Sequence, residues 1–339
     1  MIHVGVIGYG YWGPNLARAV AESGVAQVAM IADQSPDALA RAALRHPAAR
    51  LTTDLQELLR DPAVDAVMIA TPVQTHYALA LAALRAGKHV LVEKPMTDDV
   101  DQARHLVDEA ARRGLTLMVD HTFVYTPAVQ AISRLVREDV LGAIYYYDST
   151  RVNLGLFQRD VNVIWDLAVH DLAILDHLLD QRPVAISASS AGFLAGRPDN
   201  MAQLNIHYGN GALAHLNVNW LAPVKIRQTL IGGSRKMVLY DDMQTSEKLR
   251  VYDRGASCGS GPYEHLVSYR IGDMYAPALS SKEALLTEVE IFADCIQQGS
   301  APATDGLAGL RIVEMLAAAT RSTELRGHPI DLVNLKVAS

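Results

Sequence analysis

The chain has 339 residues, 50% hydrophobic and 20% charged, with a formal net charge of −7. That is a globular composition with apolar material for large cores, at a length that suits two domains, and its acidic balance disfavours a nucleic-acid partner, which needs a basic face. Cys258 and Cys295 form no C-x-x-C pair. A disulfide framework and a structural zinc are therefore not expected, and with no eighteen-residue apolar run and no signal-peptide pattern the reading is cytoplasmic.

The stretch Ile2–Val20, IHVGVIGYGYWGPNLARAV, opens on a short β-branched run, Val4–Ile7. Gly8-Tyr9-Gly10-Tyr11-Trp12-Gly13 follows, Pro14 sits where a helix can begin, and Leu16, Ala17 and Val20 continue at helical spacing towards Gly24. A second strand, Val28–Ala32, ends in Asp33, twenty residues past Gly13. Strand, G-x-G-x-x-G, helix, strand and acid make a dinucleotide fingerprint. Gly8 permits the tight turn, Gly10 lets backbone approach a pyrophosphate, and Gly13 allows close helix–strand packing, while the helix N-terminus offers free N–H groups. Asp33 can accept from a ribose diol and would repel a 2′-phosphate; no arginine stands beside it, so NAD is favoured over NADP. The same acid can also serve the segment after Pro36 as a helix N-terminal charge.

Alternation continues. Ala66–Ala70 reads as a buried strand ending at Thr71-Pro72, Thr75–Arg85 as a helix closed by Gly87, and His89–Val92 as a strand ending in Glu93-Lys94-Pro95. Val100–Arg113 is a helix closed by Gly114, and Leu115–Val119 a strand followed by Asp120-His121. This is βαβ winding of a parallel sheet, in which ligands bind beyond the carboxyl ends of the strands. Thr71, Glu93, Lys94, Pro95, Asp120 and His121 lie at those ends.

After about residue 122 the texture changes. Tyr125–Arg137 and Val163–Leu179 read as helices, and Ala143–Val152, Ala185–Ser190, Met201–His207, Ala212–Trp220, Lys225–Ile231 and Met237–Tyr240 as strands, with a turn at Gly209-Asn210-Gly211. Asn205, His207, His215, Asn217 and Asn219 alternate on one side, Arg254–Tyr263 reads as a glycine-rich loop, and Lys282–Gln298 and Leu307–Arg321 are two late helices. The fold class is an α/β Rossmann domain with a parallel sheet (1–122), then an α+β domain with a large, mostly antiparallel open sheet (123–339), whose open face must be polar or covered by a partner subunit and whose final segment can pack back on the first domain.

Two places carry chemistry where the two parts are expected to meet. Lys94 stands at the mouth of the crevice; partly desolvated beside a cationic nicotinamide its pKa should fall, and it could polarise a substrate hydroxyl or share in proton transfer. A cis bond at Pro95 would fix its turn. A Lys–Glu surface pair fits the same residues. In Trp165-Asp166-Leu167-Ala168-Val169-His170-Asp171, Asp166 and His170 are four apart and share a helix face, so the carboxylate can orient a general-base imidazole. A solvated His/Asp face fits as well; zinc would need a third ligand that no spacing supplies, so no metal is expected.

GYGYWG with Asp33, ATPVQTH at 70–76, EKP at 93–95 and the D-x-x-x-H of Asp166 and His170 together resemble the Gfo/Idh/MocA family, over essentially the whole length. The resemblance implies NAD(P)-dependent interconversion of a secondary alcohol and a ketone on a sugar or cyclitol, and a homodimer or homotetramer formed through the second sheet. It implies Lys94 beside the nicotinamide, His170 as acid/base and Asp166 as a substrate-orienting acid. Gly8, Gly10, Tyr11, Trp12, Gly13, Asp33, Thr71, Pro72, His76, Glu93, Lys94 and His121 fall at the cofactor, and Lys94, Tyr125, Arg151, Trp165, Asp166 and His170 at the substrate. Where many sugar and inositol members carry Y-N-R-R-F-D-P, this chain has HTFVYTP at 121–127. HTF-x-Y with DVNVIWDLAVHD is more similar to members acting on nucleotide-linked sugars, such as the 3-position of a UDP- or dTDP-hexose, and Arg151 and Arg159 could meet a substrate anion. A non-catalytic NAD-binding regulator and an NAD-dependent redox-cycling glycosidase are the other readings.

Overall fold

A computed structural model describes residues 1–155, 157, 161–258 and 267–332. They divide into two compact units, Met1–Thr126 with Lys282–Val313, and Pro127–Ser281 with Glu314–Ser339.

The first unit is built on six parallel strands, β1 (Ile2–Ile7), β2 (Ala26–Ala32), β3 (Arg50–Thr52), β4 (Ala66–Ile69), β5 (His89–Glu93) and β6 (Leu117–Asp120), in the order β3-β2-β1-β4-β5-β6. Their crossovers carry α1 (Gly13–Glu22), α2 (Pro36–Arg45), α3 (Leu55–Arg60), α4 (Val73–Arg85) and α5 (Val100–Arg113). Every residue of β4 and β6 is buried, as a sheet covered on both faces requires. The strand order reverses between β1 and β4, where doubly wound sheets leave a crevice at the carboxyl ends. Gly8 N–H donates to Ala32 O and Ala70 N–H to Ile7 O, each at 2.8 Å, so the two strand ends bounding that crevice are pinned.

The sequence places 123–339 in the second domain, with a final segment able to pack back on the first; the structure counts Lys282–Val313 with the first unit, while Glu314 onward stays with the second. α8 (Ala284–Gln298) packs on the turn after β6, on α1 and on β2, and the start of α9 (Gly306–Glu324) packs on β6. Val119 N–H donates to Thr304 O at 2.9 Å, and Gly309 packs against Val119 and Met96 where a side chain would not fit. Arg18 of α1 binds Glu283, just ahead of α8, through two bonds of 2.6 and 3.0 Å.

The second unit carries nine strands in the order β14-β13-β12-β11-β7-β10-β9-β8-β15. They are β7 (Ile144–Leu154), β8 (Pro183–Ala191), β9 (Met201–Tyr208), β10 (Leu213–Asn219), β11 (Leu221–Gly233), β12 (Met237–Asp241), β13 (Leu249–Cys258), β14 (Val267–Tyr275) and β15 (Ile330–Asp331). The sheet is antiparallel except for the β7–β10 pair. Ala202, Leu204, Ile206, Ala214, Leu216 and Val218 are buried, while Gln203, His207 and His215 are exposed, so the alternation read from β9 and β10 gives the sheet one apolar and one polar face there.

Three local readings change. The glycine-rich loop expected at Arg254–Tyr263 is strand β13 through Cys258, paired with β14; 259–263 lie outside the described residues. The helix expected at Tyr125–Arg137 is a 3-10 turn, Thr122–Tyr125, followed by α6 (Pro127–Arg137), with the proline taking a helix-start position whose N–H has no partner in any case. The helix expected at Val163–Leu179 is a π turn, Ile164–Ala168, running into α7 (Val169–Leu178).

Candidate active site

At the first strand end, the glycines divide their work. Gly8 has φ +91°, and a Cβ there would lie 2.5 Å from Ala70 O. A Cβ on Gly13 would run into Gly8 O, while one on Gly10 would meet nothing within 4 Å. Gly8 and Gly13 thus close the turn, and Gly10 fronts open space. Ser35, Asp54 and Asp99 cap α2, α3 and α5, but α1 has neither a side-chain cap nor an acid in its first turn. Pro14 brings no N–H and Asn15 N–H donates to Trp12 O at 2.8 Å, so the uncapped end of α1 favours a phosphate through its positive dipole. Asp33 accepts from Tyr9 N–H at 2.6 Å and Ser35 N–H at 2.7 Å, which fixes its carboxylate beside the turn and leaves lone pairs for a diol. These features fit a dinucleotide. Tyr11 is exposed, and Trp12 donates its indole N–H to Asp120 Oδ2 at 2.7 Å.

At the other strand ends, Thr71 and Thr75 hydroxyls share a bond of 2.7 Å, and Pro72 begins α4. His76 is buried, with Nε2 2.8 Å from Thr71 O and Nδ1 2.9 Å from Pro95 O. It therefore braces the Thr71 and Pro95 segments to each other instead of facing open space, and burial lowers its pKa. The Lys94–Pro95 peptide is cis. Glu93 Oε2 accepts Lys94 N–H at 3.0 Å; burial first, and then Asp120, push the Glu93 carboxyl well up. His121 is buried, and burial lowers it to about 4, so its ring is neutral near pH 7. Tyr125 was expected at the substrate. It is buried with its hydroxyl 2.9 Å from Thr304 Oγ1, which puts it in the packing of the first unit.

In the second unit, Asn162 Oδ1 accepts from Ile164 N–H at 3.0 Å and Trp165 N–H at 3.2 Å, starting the π turn. Trp165 donates its indole N–H to Thr320 Oγ1 at 2.9 Å, and Trp220 donates to Asp166 Oδ2 at 3.1 Å. Asp166 and His170 are both half-buried, on the π turn and the first turn of α7. Asp171 follows His170 on α7. Its buried carboxylate takes Arg151 Nε at 2.7 Å, Arg151 Nη2 at 3.2 Å and Ser149 Oγ at 2.8 Å. Arg151 was expected to meet a substrate anion; its guanidinium is instead buried on Asp171, where it ties α7 to β7. Arg159 lies outside the described residues.

Three contributors escaped the sequence reading. Trp220 and Asp171 are matched to Asp166 and Arg151 only by the sheet. Glu288, fully buried on α8, left a legible signal: it falls in the apolar stripe of Leu285, Val289 and Phe292, where an acid is out of place. Among the described residues no group of three or more His, Cys, Asp or Glu is arranged to hold a metal ion, and no helix is long and apolar enough to cross a membrane.

Residues 2–121 match the family described as the GFO_IDH_MocA oxidoreductase family with an NAD-binding Rossmann fold, and residues 129–238 match the GFO/IDH/MocA C-terminal domain. UDP-N-acetylglucosamine 3-dehydrogenase of Acidithiobacillus ferrooxidans is 32% identical over 318 residues, covering 92% of this chain and 95% of that protein. A solved structure of that enzyme aligns with a TM-score of 0.79 at 29% identity, over 96% of this chain and 99% of that one. Inositol 2-dehydrogenase of Rhizobium meliloti is 25% identical over 95% of this chain and 96% of its own length.

Proposed function

The chain belongs to the Gfo/Idh/MocA family of NAD-dependent oxidoreductases, and on that premise we propose that it interconverts a secondary alcohol and a ketone at the 3-position of a nucleotide-linked amino sugar. The observation that carries the substrate class is the nearly full-length match to a UDP-N-acetylglucosamine 3-dehydrogenase.

Bound NAD supplies the hydride acceptor. Oxidation of an alcohol also releases the hydroxyl proton, and that proton falls to the chain. His170 takes it, Lys94 polarises the same oxygen, and Asp166, steadied by the Trp220 indole, orients the sugar. In the reverse direction the same groups return the proton to a ketone oxygen. The account also includes self-association through the second sheet. Supporting it, exposed apolar side chains lie on β7 (Leu154), β11 (Ile226, Leu230) and β14 (Tyr269, Ile271).

The test is a panel of UDP-hexoses, UDP-N-acetylhexosamines, free sugars and cyclitols offered with NAD and with NADP, read by reduced-cofactor absorbance. Turnover of a UDP-N-acetylhexosamine with NAD supports the reading. Turnover confined to cyclitols or free sugars removes the substrate class, and cofactor binding without any turnover removes the enzyme.

A further inference from the structure

Three carboxyls crowd one side of the glycine turn in the first unit. Glu93 ends β5, Asp120 ends β6, and Glu288 reaches in from α8. Asp120 already receives two donors, the Trp12 indole N–H at Oδ2 and the Thr122 hydroxyl at Oδ1. Glu288 is fully buried, its carboxyl set against Asp120 and Thr122; the Thr122 hydroxyl has one proton and gives it to Asp120 Oδ1, so both Glu288 oxygens are left without a donor. An ionised carboxylate only accepts, so two of them face to face in a buried site are unbonded and repel. One proton between the two carboxyls removes both faults. It belongs on Glu288, because Asp120 already has the Trp12 and Thr122 donors and Glu288 has none.

The neighbouring groups bear this out. Glu93 and Lys94 face the cluster from β5, Asp120 and His121 from β6, Tyr125 from the 3-10 turn, and Cys295 lies on α8 itself. His121 is buried, neither of its ring nitrogens has a partner, and it is lowered to about 4, so it brings no positive charge to Glu288 near neutrality. Burial, then Asp120, then Glu93 all oppose ionisation of Glu288.

We propose that Glu288 carries a proton in the resting protein and donates it to Asp120, acting as a positioning residue that holds the Asp120 carboxylate, and through it the Trp12 indole, beside the glycine turn. Two buried oxygens without a donor thereby become one donor and one carbonyl, and the three acids contribute less negative charge than their number suggests. The proton is a property of the chain alone. Its consequence for cofactor binding rests on the function proposed above.

The test uses the full chain without added cofactor. Infrared spectra at neutral pH, with 13C-labelled glutamate, read the C=O stretch of a protonated glutamic acid. Glu288→Gln, which keeps shape and a donor, should remove part of that band; an unchanged band overturns the proposal. NAD affinity, measured by calorimetry, supplies the second readout. Glu288→Gln should stay within about threefold of the parent, and Glu288→Ala should bind about tenfold more weakly, because Asp120 loses its buried donor. Equal losses in the two variants would overturn the positioning role. If the parent binds no NAD at all, the cofactor assignment fails, while the infrared result still decides the proton.

Discussion

The indole N–H of Trp12 lies 2.7 Å from Asp120 Oδ2, joining two residues 108 positions apart in the chain. Trp12 belongs to the turn after β1 and Asp120 to the end of β6, so the bond spans the crevice edge of the parallel sheet. Trp12→Phe should fold with a loss of about 1 kcal/mol and bind NAD more weakly, since a ring without the N–H no longer fixes the turn. Calorimetric titration and urea melts of parent and variant check both halves of that expectation.

The glycine turn makes a sharper forecast, because two glycines three positions apart should respond in opposite ways. Gly10 fronts open space, whereas a Cβ on Gly13 collides with Gly8 O. Gly10→Ala should leave the urea midpoint nearly unchanged yet weaken NAD binding by tenfold or more. Gly13→Ala should unfold at lower urea. If both variants melt like the parent and bind like it, the turn is not a cofactor cradle.

Arg151 and Asp171 form a buried ion pair, and removing one partner strands the other charge. Arg151→Met should cost about 3–5 kcal/mol, whereas the apolar double variant Arg151→Met with Asp171→Leu should recover much of that loss. Equilibrium denaturation of the three proteins measures it; a single variant costing under about 1 kcal/mol would show that the pair does not anchor α7.

His121 sets a pH dependence whose sign is fixed. Its folded pKa, about 4, lies below the ordinary 6.5, so between those values the unfolded chain binds the extra proton. Stability should therefore fall as pH drops from about 6.5 to 4, by roughly 3 kcal/mol from this residue. Glu93 and Glu288 are raised, and they act with the opposite slope, losing stability as pH rises above the ordinary carboxylate range. The difference between parent and His121→Gln across pH 4–7 isolates the histidine; a flat difference would contradict its burial as a neutral ring.

Much of this was legible in the residues. The parallel sheet announced itself because buried strands such as AVMI at 66–69 are uniformly apolar and each helix stops at a glycine or a charge. The polar face of β9 and β10 was visible from period-two alternation alone. That a late segment could return to the first unit was legible, but that it is Lys282–Val313 was not, because an apolar helix stripe does not say which sheet it covers. Tyr125 and Arg151 misled for a related reason: a phenol and a guanidinium beside a motif look available until tertiary structure supplies Thr304 and Asp171. Glu288 was the reverse case, an acid inside an apolar stripe, which burial turns into a proton holder.

The central claim is that a bound coenzyme and the pair Lys94 and His170 together carry alcohol–ketone chemistry on a nucleotide sugar. The most direct measurement is single-turnover reduction of NAD by UDP-N-acetylglucosamine, with parent, Lys94→Ala and His170→Ala proteins of matched NAD affinity. The account expects the parent to form reduced cofactor and each variant to lose at least a hundredfold in rate. Parent-like rates in either variant, at unchanged cofactor affinity, would contradict it.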